Sequence, residues 1–144
     1  MFAVSPHQLR QRIPVASAKV RLLLIGDSAE HLRELQFGIK SEDFEVKYVT
    51  SLPELGRACN ETHDLVVLAA RPSNIAAMLK MIRASAGYAG IPVLVECTNL
   101  NNDQSLAGVL PRYRAMPCNR AEMLTLLRHH KETVKRDLDR RGML

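Results

Sequence analysis

Aromatic residues and cysteines are both scarce in this sequence. The 144 residues include no tryptophan, and aromatic side chains make up 4% of the chain. So few aromatics argue against the stacking surfaces on which proteins bind single-stranded nucleic acid. Three cysteines, Cys59, Cys97 and Cys118, are too few for the disulfide framework of a small secreted domain. The composition therefore argues against a disulfide-stabilised extracellular module.

Long apolar runs and targeting segments are missing as well. No stretch approaches the length of a transmembrane helix, and no signal peptide is evident at the N-terminus. Internal repeats and low-complexity tracts are also absent, and the length fits one domain. We therefore expect a single-domain cytoplasmic protein.

The motifs that bind common cofactors do not occur. The sequence has neither the G-x-G-x-x-G fingerprint of dinucleotide-binding proteins nor a G-K-S/T phosphate-binding motif. Cys59 and His63 have C-x-x-x-H spacing, but a metal site needs more ligands, and the other histidines are scattered. We expect no metal ion and no other cofactor.

Positive charge is concentrated at the two ends of the chain, which has a net charge of +5. Residues 1–18 have basic side chains and no acid, and we interpret them as a flexible basic leader. Residues 129–144 are predicted to form a C-terminal helical extension. Basic ends can bind nucleic acid, anionic lipid or an acidic partner. A solvated end is the simpler explanation, so nucleic-acid binding is the less favoured interpretation.

Apolar runs alternate with helical patterns along the rest of the chain. Nearly continuous apolar runs are typical of strands buried on both faces. The predicted strands are Val20–Ile25, Phe44–Tyr48, Leu65–Ala70, Ile91–Val95 and Arg112–Met116. Such alternation predicts an α/β fold, with a five-stranded parallel sheet and helices on both faces. The domain is expected to span residues 19–128.

The last two predicted helices differ in length. The fourth helix, near Gln104–Leu110, is short. The final helix is long, and it is predicted to begin at Asn119, because Glu122 follows with the spacing of a capping box.

Four segments resemble the strand ends of response-regulator receiver domains. LLLIGDS, HDLVVLA, IPVLVECT and YRAMP are similar to the first, third, fourth and fifth strands of that family. The similarity extends from about Val20 to Leu127. It implies the flavodoxin-like strand order 2-1-3-4-5. It also implies a cis peptide bond between Met116 and Pro117.

The resemblance implies a phosphorylation pocket that has lost its chemistry. The paired acids of the family are replaced by Gly26 and Asp27, and the phosphoacceptor aspartate by Ala69. Cys97 occupies the hydroxyl position and Met116 the lysine position. Aspartyl phosphorylation needs a carboxylate nucleophile and a cation held by oxygen ligands. We therefore expect a degenerate pseudo-receiver that is not an enzyme. The remaining acid, Asp27, is a former metal ligand or, more simply, the N-cap of the first helix.

The function that follows is phosphorylation-independent binding of a protein partner, in bacterial-type signal transduction of the two-component kind. Tyr113, which is at the switch-aromatic position of the family, is expected to contact that partner. Val134 and Leu138 extend the apolar stripe of the final helix beyond the sheet, where they could form a partner surface or a homodimer seam.

Three alternatives remain open at this point. The basic termini could bind a polyanion, and Cys97 with Cys118 could form a redox switch. The emptied pocket, lined by Ala69, Cys97 and Met116, could accept a small molecule.

Overall fold

The computed structural model describes residues 19–37, 39, 44–96 and 104–142. The predicted leader, residues 1–18, and Cys97 lie outside the described residues. The expectations that concern them stay predictions.

Five strands and five helices alternate along the described chain. In chain order they are β1 (Val20–Gly26), α1 (Ala29–Phe37), β2 (Phe44–Val49), α2 (Leu52–Ala58), β3 (Leu65–Ala69), α3 (Pro72–Ala84), β4 (Val93–Glu96), α4 (Gln104–Arg112), β5 (Ala115–Cys118) and α5 (Arg120–Gly142). All strand pairs are parallel, and their order across the sheet is β2-β1-β3-β4-β5. The predicted fold class and strand order are confirmed.

Helices cover the sheet on both faces because the central strands are apolar on both sides. Alternate residues of β1 point to opposite faces. Leu23 and Ile25 pack with α2, α3 and α4, whereas Leu22 and Leu24 pack with α1 and α5. The sheet therefore separates two apolar cores. Polar side chains lie mainly at the ends of the strands.

The long final helix begins as the sequence predicted. The backbone N–H of Glu122 donates to Oδ1 of Asn119 at 2.8 Å, and the backbone N–H of Asn119 donates to Oε1 of Glu122 at 3.0 Å. This reciprocal pair satisfies two N–H groups that a helix start leaves without a partner. The capping box is confirmed, and α5 continues without interruption across the predicted boundary at residue 128. No described helix combines the length and apolar character needed to cross a bilayer.

The fifth strand begins later than predicted. Tyr113 and Arg114 form a turn, and β5 covers Ala115–Cys118 rather than Arg112–Met116. Arg114 has a φ of 55°, in the left-handed region, which ends α4 and delays the extended backbone. The prediction of a cis bond at Met116-Pro117 is wrong, because the described residues contain no cis peptide. In an extended strand the trans form, which is intrinsically preferred, continues the chain direction without a turn.

Candidate functional site at the carboxyl edge of the sheet

Asp27 follows β1 at the carboxyl edge of the sheet, where parallel α/β folds usually place their sites. Its Oδ2 accepts a hydrogen bond from the backbone N–H of Arg71, and its Oδ1 accepts one from Nδ2 of Asn74 at 3.2 Å. The Arg71 guanidinium lies 3.9 Å from the same carboxylate. Arg71 is the N-cap residue of α3 and has no side-chain cap of its own. Asp27 therefore stabilises the start of α3.

The prediction that Asp27 caps its own helix is not supported by these contacts. Instead, the N–H of Leu32 donates to the backbone oxygen of Ser28, so Ser28 is the residue that precedes the first turn of α1. The Asp27 carboxylate is instead hydrogen-bonded at the start of a helix that begins more than forty residues later in the chain. A carboxylate near the first turn of α3 also interacts favourably with the dipole of that helix.

Gly26 and Ala69 are adjacent partners in the β1–β3 ladder, and both are buried. A Cβ added at Gly26 would lie 2.7 Å from Cδ2 of Leu32 and 3.5 Å from the backbone oxygen of Ala69. Leu32 thus occupies the space beside Gly26, the position that the resemblance assigns to the first of the paired acids. An aspartate at Gly26 would not fit unless Leu32 moved. The space beside Gly26 is therefore filled by an apolar side chain, whereas the predicted pocket at Ala69, Cys97 and Met116 stays a prediction because Cys97 lies outside the described residues.

Met116 does not lie level with Ala69. Val95 pairs with both Leu68 and Pro117, so Ala69 lies one residue beyond that row and Met116 one residue before it. Two residues correspond to about 7 Å along a strand. The side chain of Met116 is 44% exposed, whereas Ala69 is buried. The structure therefore does not bring Met116 into a common pocket with Gly26 and Ala69.

A second carboxylate at this edge was missed by the sequence analysis. Glu96 ends β4, and its side chain is only 8% exposed. Its Oε2 accepts a hydrogen bond from Nε of Arg120 at 3.2 Å, which ties β4 to the first turn of α5. An acid directly after the apolar run of β4 is the signal that could have revealed it. Glu96 is paired with a cation, as buried carboxylates normally are.

Cys118, the other half of the predicted redox pair, is buried opposite Glu96 in the β4–β5 ladder. Its Sγ donates weakly to the backbone oxygen of Val95 at 3.7 Å. Because Cys97 lies outside the described residues, the redox hypothesis stays a prediction. Cys59 is also buried, and burial raises the pKa of its thiol, which disfavours the reactive thiolate.

Tyr113, the predicted partner-binding aromatic, lies in the turn before β5 and is only partly exposed. Its side chain packs against the core formed with α2, α3 and α4. The Arg112 guanidinium lies 5.8 Å from the centre of the Tyr113 ring, within the range of a cation–π contact. Tyr113 is thus partly buried against the core and partly exposed to solvent.

Val134 was expected to lie beyond the sheet, but it contacts the core. It is half-buried and packs against the core formed with α1 and α5. The later turns of α5 thus still contact the core on this face of the sheet. The side chain of Leu138 lies outside the described residues, so its partner role remains a prediction.

A buried polar pair lies away from this edge and was also missed. Nδ1 of His63 lies 2.6 Å from the hydroxyl of Tyr88, and that hydroxyl donates to the backbone oxygen of Glu61 at 2.6 Å. The hydroxyl has one proton, and a carbonyl can only accept, so His63 must donate from Nδ1. Burial lowers the pKa of His63 and raises that of Tyr88 to about 12. The pair is a neutral structural network.

The chemistry available at the carboxyl edge follows from these contacts. Asp27 is bonded to the start of α3, and Glu96 is bonded to Arg120. Both groups join elements of the fold. In the parts of the chain that the structure describes, no group of three or more His, Cys, Asp or Glu side chains is arranged to hold a metal ion. No protein-family model matches the sequence, and no curated protein is significantly similar to it.

Proposed function

We propose that this chain is a phosphorylation-independent, receiver-like module that binds a protein partner in a signalling pathway. The observation that supports it best is the closed carboxyl edge. Leu32 fills the space beside Gly26, and Asp27 is committed to α3. Leu32 leaves little room for a second acid at Gly26, and the Asp27 carboxylate is hydrogen-bonded to α3, so binding through a surface is favoured over phosphorylation at this edge.

The proposed binding surface consists of α4, β5 and the first turns of α5. Met116 is the most exposed large apolar side chain among the described residues. The partly exposed ring of Tyr113 lies in the turn that leads into the same strand. Methionine and tyrosine are both enriched at protein interfaces, and these two lie on the same edge strand and the turn before it.

The surface is held in one arrangement by Arg83. Its guanidinium donates to the backbone oxygens of Tyr113 at 2.8 Å and Arg114 at 3.1 Å. A turn fixed in this way needs no phosphoryl group to position it. The partner would therefore bind at all times, and regulation would depend on the amount of either protein.

Mass spectrometry tests the first half of the proposal. The intact chain is incubated with acetyl phosphate and Mg²⁺, and no phosphoryl mass should be added. Stable addition of one phosphoryl group to an acidic side chain would refute the proposal.

Affinity capture tests the second half. The Met116→Glu variant should lose the proteins that the wild-type chain retains from its native host. Leu52→Glu is the matched control, since Leu52 is 37% exposed against 44% for Met116 and begins α2, which contacts β2 at the opposite edge of the sheet from β5. Equal loss in both variants would contradict a specific role for the α4–β5–α5 surface.

A further inference from the structure

The two edges of the sheet differ in their capacity to pair with another strand. β5 is four residues long and contains Pro117, which has no N–H to donate. β2 is six residues long, contains no proline, and among the described residues forms ladder hydrogen bonds with β1 only. An edge strand of this kind presents open N–H and C=O groups. β2 is therefore the edge that can accept a further strand.

The sequence of β2 complements itself when it is reversed. Glu45 and Lys47 point to the same face of the sheet, on either side of Val46, because side chains alternate along a strand. Phe44 and Tyr48 lie on the opposite face, together with Val46. Read from either direction, the strand has an apolar residue at its centre and opposite charges next to it.

Antiparallel pairing limits how two copies of β2 can meet. Two residues directly opposite each other must both direct their N–H and C=O groups toward the partner or both away from it. A strand that pairs with its own copy is therefore centred on a residue, not between two residues. Centring on Glu45 places Glu45 opposite its own copy, and centring on Lys47 does the same for Lys47; either like-charge pair is destabilising. Centring on Val46 places Glu45 opposite Lys47 twice.

From this we infer that β2 binds the β2 strand of a second copy of this chain, antiparallel and centred on Val46. The two sheets would join into one continuous sheet related by a two-fold axis. Because β5 contains Pro117, the described part of each chain has one edge open to pairing, and the assembly closes as a dimer. Phe44 of each copy would lie opposite Tyr48 of the other, an aromatic pair of the type that stabilises neighbouring strands.

Charged residues on an edge strand often prevent pairing, but the arrangement here does not. Edges protected in this way usually present charge of one sign, so that copies repel each other. Glu45 and Lys47 have opposite signs at a spacing of two residues, so a reversed copy is attracted. Within one chain, Lys47 Nζ lies 3.8 Å from Glu61 Oε1, and both side chains are more than half exposed. Such an exposed pair contributes little, and Lys47 can exchange it for Glu45 of the other copy.

Charge reversal tests the register. Sedimentation equilibrium of the full chain over a concentration series should show a dimer for the wild type. Glu45→Lys should raise the dimer dissociation constant about tenfold or more, because each Lys47 then faces a lysine. The double variant Glu45→Lys with Lys47→Glu restores opposite charges and should restore the wild-type constant. A monomeric wild type, an unchanged Glu45→Lys constant, or a double variant as weak as the single one would each overturn the inference.

Cysteine cross-linking provides an independent test, made in a background with Cys59, Cys97 and Cys118 replaced by serine or alanine. Val46→Cys should form an intermolecular disulfide on mild oxidation, because opposed residues of antiparallel strands have Cα atoms about 4.5–5.5 Å apart. Tyr48→Cys is the matched control, since its own copies would be separated by about 13 Å along the strands. Cross-linking of Tyr48→Cys as efficient as that of Val46→Cys would show that this register is wrong.

Discussion

The guanidinium of Arg83 donates from Nε to the backbone oxygen of Tyr113 at 2.8 Å. The same group donates from Nη1 to the backbone oxygens of Tyr88 and Ile91, each at 2.7 Å. One side chain in the last turn of α3 thus connects the loop before β4 with the turn before β5. Only the planar, five-donor guanidinium can bond to so many carbonyl groups at once.

Removing this connection should destabilise the fold. We expect Arg83→Met to lower the free energy of unfolding by about 3 kcal/mol, because several half-buried carbonyl groups lose a charged donor. Arg83→Lys should recover only part of the loss, since one ammonium cannot reach both loops. Arg128→Met is the control, because Arg128 is exposed on α5 and such changes are usually within about 0.5 kcal/mol. Urea denaturation of the three variants measures these differences, and equal midpoints would contradict the role of Arg83.

The contact between Gly26 and Leu32 makes a second prediction. Gly26→Ala should destabilise the chain by about 1–3 kcal/mol, because the new Cβ would overlap Cδ2 of Leu32 in a packed core. Gly90→Ala is the matched control, since a Cβ at Gly90 meets nothing within 4 Å and should be neutral or slightly stabilising. Thermal denaturation compares the two variants. Similar thermal midpoints would mean that the Leu32 side chain can move aside without loss of stability.

The hydroxyl of Tyr88 is expected to stabilise the fold through its two buried hydrogen bonds. Tyr88→Phe leaves the Nδ1–H of His63 and the oxygen of Glu61 without their partner, at a cost of about 1–3 kcal/mol. Tyr113→Phe is the control, because no side-chain hydrogen bond of Tyr113 is present among the described residues. Chemical denaturation distinguishes the two, and equal losses would argue against the buried network.

Acidification should weaken the fold through His63. Burial is the main cause of its lowered pKa; Arg21 and Lys47 lower it further, while Glu61 and Asp64 oppose the shift. A lowered pKa in the folded state means that the unfolded chain binds the proton first. Stability from this group is therefore complete above the unfolded pKa of 6.5 and declines as the pH falls from there toward the folded pKa.

The measurement is the free energy of unfolding between about pH 7.5 and pH 5.5, for wild type and His63→Asn. The asparagine amide can still donate to Tyr88, so the variant should show a shallower decline with acid. Burial also lowers the pKa of His130, which contributes in the same direction, and His130→Ala separates its share. Parallel curves for wild type and His63→Asn would contradict the assignment.

The contact of Val134 with the α1/α5 core predicts that replacing this residue by a charged one lowers the stability of the fold. Val134→Asp is now expected to lower the thermal midpoint, because it introduces a charge at a half-buried apolar site. Glu132→Ala, at an exposed position of the same helix, is the control. Differential scanning calorimetry measures both. An unchanged midpoint for Val134→Asp would show that the contact of Val134 with this core contributes little to stability.

The sequence predicted those parts of the fold that depend on local pattern. Apolar runs identified β1 and β3, and the spacing of Asn119 and Glu122 identified the start of α5. The turn at Arg114 was missed, because a positive φ at an arginine has no local signature. As a result, the start of β5 was placed too early.

The candidate site was predicted less well, since its contacts join distant parts of the chain. Asp27 has the spacing of a cap for α1, yet tertiary structure places it at the start of α3. His63 and Tyr88 lie 25 residues apart in loops, where no periodicity indicates that they will meet. The packing of Leu32 against Gly26 likewise depends on how α1 lies on the sheet.

The position of β1 between β2 and β3 also determines when the sheet can form during synthesis. Its second neighbour, Leu65–Ala69, leaves the ribosome long after β1 itself. Until β3 has emerged, β1, which is apolar on both faces, has one unpaired edge and is not yet fully covered by helices. Parallel pairing of this kind depends on distant contacts, and partly formed intermediates expose surface that can aggregate. The chain is therefore expected to be most prone to aggregation before β3 has paired with β1.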